Sequence, residues 1–418
     1  MRDGGMPVRT GPFPAYNTVG DEERRAVLDV IGTGNLSQFL GVAGSDFLGG
    51  PKVRALEAEW AEHFGVAHAV SMNSATSGLY AAVAASGVGP GDEVIVSPYT
   101  MSASAVGPLL YGATPVFADI DPRTFCISPE TIRKVLTPLT KAIIVVDIFG
   151  HPADFDGIME IARERGLVVI EDAAQAPGAR YHGRWAGTIG HMGVFSLNYH
   201  KTIHAGEGGV VVTNDPALAE RLQLVRNHAE AVVKDQGITD LRNLIGFNYR
   251  MTEIEAAIAS EQLRKLEPLV ASRIAAADRL RERWSRVEGL TPAWVAPECR
   301  HSYYILAVDY DPEAFGVPRS VFVDAVRAEG VPLVEGYVEP LYLQPIYQQR
   351  AFGSGPNDPR YRGSVSYARG ICPVTERMHF ERLFYTTLFH PGLSAADLDD
   401  VASAVEKVAR ERSRLTRR

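Results

Sequence analysis

From residue 54 to about residue 230, helical and strand-like segments take turns, and this alternation constrains the fold more than any other feature. Helical patterns over 54–64, 75–86, 102–111, 129–136 and 154–165 are each followed by a short apolar run rich in β-branched residues. The runs are AHAVSM (67–72), EVIVS (93–97), PVFAD (115–119), AIIVVDI (142–148) and the segment 167–171. Short β-branched runs alternating with helices predict βαβ units and a mainly parallel sheet. Two further strands, 192–197 and 209–213, flank a turn that carries a lysine.

The ends of the chain differ from this middle. A helical stretch, Asp21 to Ile31, precedes a Gly-punctuated loop, GTGNLSQFLGVAGSDFLGGP (32–51). A loop this long inside a compact protein is usually functional, so it is expected to lie over an active site or a neighbouring subunit. Residues 251–284 carry helix formers throughout, and Pro268 is expected to kink or divide them. This stretch reads as a bridge to a second domain. Beyond it come a strand at Tyr303–Asp309, a helix at 319–329, a loop-rich region at 336–375, a strand at 383–388 and a helix at 394–411. The expected organisation is a large α/β domain with an N-terminal arm, 1–262, and a smaller α+β domain, 263–418.

Charge and composition remove several function classes. A formal net charge of −8 over 418 residues, with no basic face, argues against a nucleic-acid partner. The basic end, Arg410 to Arg418, reads as a short solvated charge run. No apolar segment approaches ~18–20 residues, so no membrane span is expected. Cys126, Cys299 and Cys372 are far apart and lack metal-ligand spacing, which fits reduced thiols in a cytoplasmic protein. His191, His200 and His204 lack HExxH spacing, so no metal site is expected.

The chemistry concentrates between Val168 and Gly209. The apolar run Val168-Val169-Ile170 ends in two carboxylates, Glu171 and Asp172, and Gln175 follows three residues later. The run from Met192 to Leu197 leads to a lone Lys201 and the turn Gly206-Glu207-Gly208-Gly209. A buried carboxylate at a strand end and one lysine in a nearby pocket are what pyridoxal 5'-phosphate chemistry requires. The carboxylate keeps the pyridine nitrogen protonated and the lysine amine forms a Schiff base. Successive strand residues face opposite ways, so only one of Glu171 and Asp172 can serve.

EDAAQA (171–176), FSLNYHK (195–201) and GEGG (206–209) together resemble the DegT/DnrJ/EryC1/StrS family of pyridoxal-phosphate-dependent sugar aminotransferases. FGVAHAVSMNSATSGLYAA (64–82), GPGDEVIVSPYT (89–100) and GFNYRMTEIEAAIASEQLRKLEPL (246–269) extend the resemblance over most of the chain. It implies an α/β fold of the pyridoxal-phosphate fold type I, with Lys201 as the Schiff-base lysine and Asp172 as the partner of the ring nitrogen. It implies Gln175 near the ring hydroxyl. Backbone N–H groups of Ala75 and Thr76 and the hydroxyl of Ser196 would hold the phosphate. Ser74-Ala75-Thr76 is equally an ordinary helix N-cap. Asn248 matches a residue that reaches the phosphate from a second subunit, which implies a homodimer with shared active sites.

Ala75 departs mildly from the family's Ser-Gly-Thr, and two further positions depart more clearly. Met101 stands where the family has an aromatic ring stacked on the cofactor, and its thioether can cover a ring face or simply pack. Tyr342 stands where the family has a substrate-touching histidine, and it can replace that histidine or serve as packing. The implied activity is transfer of an amino group from an amino acid, glutamate or glutamine, to a keto-sugar or keto-cyclitol in sugar or secondary-metabolite biosynthesis. The alternatives are a sugar dehydratase of the same family, in which a histidine replaces the Schiff-base lysine, and a non-catalytic regulatory or binding protein. Lys201 argues against the first, and Lys201, Asp172 and Ser196 together against the second.

Overall fold

Seven short strands form the sheet that positions the site. They are β1 (His68–Met72), β2 (Glu93–Val96), β3 (Thr114–Phe117), β4 (Thr140–Val146), β5 (Val168–Asp172), β6 (Met192–Ser196) and β7 (Gly209–Thr213), in the order β1-β7-β6-β5-β4-β2-β3. Only β7 runs antiparallel to its neighbours, β1 and β6; the other pairs are parallel. This computed structural model describes residues 5–355, 357–361 and 365–415, so Thr416 to Arg418 of the basic end lie outside the described residues.

Both sheet faces are covered, which is why the strands are apolar along their whole length. Val94, Ile144, Ile170 and Val194 share one core with Leu79 of α3 (Ala75–Ala85), Leu109 of α4 (Ala103–Leu110) and Leu222 of α7 (Pro216–Arg226). Ile95, Ile143 and Val169, one residue out of phase, pack against α5 (Pro129–Val135) and α6 (Phe155–Arg165). By the same alternation Asp172 points to the α3/α4 side with Ile170, and Glu171 to the opposite side with Val169.

Helix α8 (Glu253–Trp284) begins at a capping box. Thr252 Oγ1 accepts from the Glu255 N–H at 3.2 Å, and the Glu255 carboxylate accepts from the Thr252 N–H at 2.9 Å. The expected division at Pro268 does not occur: the helix runs unbroken for 32 residues. An interior proline costs about 3 kcal/mol. Burial of Leu266, Val270, Leu280 and Trp284, at roughly 1.5–3 kcal/mol each, outweighs that cost.

The expected boundary at 262/263 falls inside α8. Its first part packs on α1 (Asp21–Thr33) and α2 (Pro51–Phe64), and the helix also packs on the C-terminal helix Ala395–Arg410. The smaller unit is built on an antiparallel sheet of Leu290–Pro292, Leu306–Tyr310, Leu383–Thr386 and Val334–Glu335.

The N-terminal segment spans both units. Arg9 pairs with Asp397 at 2.7 Å, and the Tyr16 hydroxyl donates to the Thr202 carbonyl at 2.6 Å. The loop after α1 packs on its own chain. Phe39 and Phe47 are buried, and Asn227 Nδ2 donates to the carbonyls of Leu40 (2.9 Å) and Phe47 (3.0 Å). Leu36, Leu40 and Val42 of that loop stay exposed. All three cysteines are free thiols. Among the described residues no helix is long and apolar enough to cross a membrane, and no cluster of three or more metal-ligating side chains occurs.

Candidate active site

A cavity of about 200 Å³ opens at the carboxyl ends of β1, β4, β5 and β6. In open α/β sheets ligands bind at this edge. Ala75, Thr76, Met101, Asp172, Gln175, Ser196 and Lys201 all line it, so the structure brings together most of the residues picked out from the sequence.

The two neighbouring carboxylates divide as strand alternation requires. Glu171 faces away, and its carboxylate accepts the backbone N–H of Gly187 at 2.7 Å and those of Ile189 and Gly190, which fixes the turn before β6. Burial pushes its carboxyl up to about 7. Asp172 faces the cavity. One oxygen accepts the Ser104 hydroxyl at 2.7 Å and the other the Ala174 N–H at 3.2 Å. Burial raises its pKa, opposed by the Ser104 and Ala174 hydrogen bonds and by the charge of Lys201. A carboxylate with its outer oxygens held by two donors cannot swing away from the cavity.

Lys201 is buried, and its ammonium lies 4.6 Å from the ring centroid of Tyr304. Burial lowers its pKa to about 8, with Asp172 pulling the other way. Such a lysine has far more free amine at neutral pH than a solvated one. Below about pH 8 the ammonium dominates, and each pH unit lower removes about nine-tenths of the remaining amine. Reaction of the apo protein with pyridoxal phosphate at Lys201 should therefore accelerate about tenfold between pH 6 and 7 and level off above pH 8. Mass-spectrometric counting of borohydride-fixed cofactor at Lys201 measures this. A rate still climbing tenfold per unit above pH 9 would contradict the depressed pKa.

The other end of the cavity suits an anion. Ser74 caps α3 by accepting the Ser77 N–H at 3.0 Å, so the N-cap reading of Ser74-Ala75-Thr76 is realised. The two readings coexist, because the first-turn N–H groups of Ala75 and Thr76 have no acceptor within the helix and both residues line the cavity. The turn before β7 lies hard against this helix end. A Cβ at Gly209 would come within 2.6 Å of the Ala75 nitrogen, so glycine alone permits the approach. Gly206 and Gly208 adopt φ of 88° and 135°, which explains the glycine-rich turn. The Ser196 hydroxyl accepts the Asn198 N–H at 3.3 Å and keeps its own hydrogen to donate.

Three of the expected residues sit less simply. Met101 is 61 % exposed on the cavity rim, so it is not a core residue. Asn248 lies outside the cavity of its own chain. It is exposed, its side-chain oxygen accepts from Arg250 Nε at 2.8 Å, and its backbone carbonyl accepts from Asn73. Tyr342 is a correction: it is fully buried away from the cavity, packed on Phe117, with its hydroxyl donating to Glu376. Of its two readings, packing is the one the fold realises, because the 340–347 segment is folded into the core beside β3.

Sequence reasoning missed Ser104 and Tyr337. Ser104 is fully buried and bonded to Asp172. Tyr337 comes from the smaller unit, lines the cavity and accepts from Gln175 Nε2 at 2.8 Å. His200, set aside as one of three weak histidines, also lines the cavity.

Comparison with known proteins decides the family. The model of the DegT/DnrJ/EryC1/StrS aminotransferase family matches residues 35–406. The chain belongs to this family. It is 33% identical over 428 residues to an L-glutamine:2-deoxy-scyllo-inosose aminotransferase of Streptoalloteichus tenebrarius, covering 98% of this chain and 97% of that protein. It is 35% identical over 360 residues to a GDP-perosamine synthase of Caulobacter vibrioides, covering 84% and 88%. The crystal structure of an aminotransferase from Psychrobacter cryohalolentis superposes with a TM-score of 0.83 at 30% identity, covering 96% of this chain and 100% of that one. This DegT-family chain is therefore an aminotransferase of pyridoxal-phosphate fold type I, in a family that depends on that cofactor.

Proposed function

We propose that this aminotransferase moves an amino group from an amino acid, glutamate or glutamine, onto the ketone of a sugar or cyclitol. One observation carries the reading: a desolvated amine (Lys201) and a buried, clamped carboxylate (Asp172) face one cavity whose other end is the N-terminus of α3. The names of the relatives, which act on a cyclitol ketone or make an amino sugar, support the substrate class.

The residues present fit pyridoxal phosphate. Ala75 and Thr76 N–H groups and the Ser196 hydroxyl would hold its phosphate. Asp172 would hold a proton on the ring nitrogen, and the second amide hydrogen of Gln175 is free for the ring hydroxyl. Met101 would cover one ring face, a contact worth ~0.3–1.5 kcal/mol. When bound, the cofactor supplies an electron sink for a carbon that loses a proton. Lys201 is the base that takes that proton and returns it, which its depressed pKa suits. A dehydratase is disfavoured by Lys201, since the resemblance implies a histidine at that position in such enzymes. Mass spectrometry of products from a panel of keto-sugars and keto-cyclitols, with glutamine and glutamate as donors, tests the reading. A gain of one amine on at least one ketone is expected; no amination across the panel by protein with bound cofactor would overturn it.

We further infer a cytoplasmic homodimer in which Asn248 completes the partner's site. The exposed position of Asn248, outside its own cavity, supports this. Its amide is oriented by Arg250, which takes the oxygen and leaves the NH₂ free to donate. Mixing inactive Lys201→Ala with inactive Asn248→Ala protein should restore activity, because a hybrid dimer holds one site with both defects and one with neither. About half of wild-type activity per hybrid is expected. No recovery after demonstrated subunit exchange would mean that Asn248 acts within its own chain or not at all.

A further inference from the structure

The assignment of the large-domain residues to the cofactor leaves Asn198, His200, Glu207 and Tyr337 on the cavity wall without a role, and Tyr337 is the one whose position and hydrogen bonding are fixed from both units. Tyr337 follows the strand Val334–Glu335, and among the described residues lining the cavity it is the one contributed by the smaller unit. Its ring is held on two sides, edge-on to Tyr99 (5.9 Å, 86°) and to Phe149 (5.1 Å, 87°). The preceding Gly336 is pinned by its N–H, which donates to the Leu383 carbonyl at 2.7 Å. The ring position is therefore fixed by packing and backbone, independently of any bound molecule.

The direction of its hydroxyl follows from Gln175. The side-chain oxygen of Gln175 accepts the Phe149 N–H at 2.8 Å, which fixes the amide so that its NH₂ end faces Tyr337. That NH₂ donates to the Tyr337 oxygen at 2.8 Å. A hydroxyl that accepts from Gln175 has its own hydrogen left to give. Burial holds the phenol up at about 12, so the hydrogen stays on at neutral pH. Asp172 accepts from Ser104 and Ala174, not from Tyr337.

We propose that Tyr337 is a catalytic hydrogen-bond donor that grips an oxygen of the substrate beside the reacting carbon. The proposal rests on the transaminase reading above. Both substrates of that reaction offer such an oxygen: the amino acid its α-carboxylate, the acceptor its carbonyl or neighbouring hydroxyl. Tyr337 thereby ties the smaller unit to the substrate, whereas Ala75, Thr76, Asp172, Gln175, Ser196 and Lys201 tie the large sheet to the cofactor.

Tyr337→Phe keeps the ring packing and removes only the hydroxyl. Affinity of the apo protein for pyridoxal phosphate, read by tryptophan-fluorescence titration, should stay within about threefold of wild type. Single-turnover half-reactions with L-glutamine or L-glutamate, and separately with the accepted ketone, should show apparent substrate affinity or limiting rate falling about 10- to 100-fold, as for a lost hydrogen bond to a charged or polarised oxygen. A loss confined to the amino-acid half assigns the contact to the carboxylate, and one confined to the ketone half assigns it to the acceptor. Both half-reactions at wild-type values overturn the proposal. So does a fall in cofactor affinity that accounts for the whole loss, since the hydroxyl would then serve the cofactor. Calorimetric binding of L-glutamate and of the ketone to both cofactor-loaded proteins separates this from the transaminase reading. A wild type that binds either substrate but never turns over fails that reading, yet still predicts at least tenfold weaker binding by Tyr337→Phe. Equal binding by the two proteins, or none by either, again overturns the role of Tyr337.

Discussion

Lys201→Ala should purify folded, lack the visible absorbance of lysine-linked pyridoxal phosphate, and lose transamination by at least ~10³-fold. Proton transfer by a placed base alone contributes ~10²–10⁴-fold, and in the proposed role this residue would also make the covalent link to the cofactor. Folding should not suffer, because burial of Lys201 costs stability. In the folded apo protein the Lys201 pKa sits at about 8 against 10.5 for the free side chain. The unfolded chain therefore binds the extra proton between those values, and stability rises with pH across that window. Below about pH 8 the buried ammonium carries the full cost, on the order of 3 kcal/mol. Truncation to alanine removes that cost together with the lysine's packing, including its contact with Tyr304. Apo Lys201→Ala should thus be at least as resistant to urea as apo wild type at pH 7, with the difference shrinking toward pH 10. Retention of the visible band after dialysis, with borohydride fixing the cofactor to another lysine, would refute the assignment.

The structure divides what was readable in the chain from what was not. Local pattern carried the large sheet: EVIVS was expected as a strand at 93–97 and forms one at Glu93–Val96, and β5 and β6 appear within a residue of their expected limits. Those segments are legible because burial on both faces imposes a continuous apolar run. Strand alternation alone made the Glu171/Asp172 choice legible only as an alternative, and the resemblance favoured Asp172. The physical reason lies in the turn at 187–190, whose N–H groups hold Glu171 on the other face. Ser104 was invisible because its meaning lies in a contact with Asp172, 68 residues away. Tyr337 and Tyr342 lie five residues apart in a segment with no helical or strand period. No sequence rule says which of them faces the cavity, and the resemblance pointed to the buried one. Pro268 misled for a different reason: the rule that proline breaks helices prices one lost bond, whereas α8 is held by burial along both of its halves.

Asp172→Asn should bind pyridoxal phosphate and attach it to Lys201, yet turn over roughly 10- to 150-fold more slowly. The substitution is nearly isosteric. The amide oxygen can still accept the Ala174 N–H, and the amide NH₂ can donate to the Ser104 oxygen, so the clamp that aims the side chain survives. What disappears is the negative charge. A charge-assisted hydrogen bond contributes ~1.5–3 kcal/mol, which sets the expected loss. A second, opposite change identifies the cause. Asp172 is the group that raises the Lys201 pKa against burial, so its neutralisation should push that pKa below 8. Cofactor attachment to the apo variant at pH 7 should therefore be faster than in wild type while turnover is slower. A general distortion of the cavity would slow both. Turnover near the wild-type rate would remove Asp172 from the chemistry and reopen the case for Glu171, despite the three backbone N–H groups that hold it on the other face of the sheet.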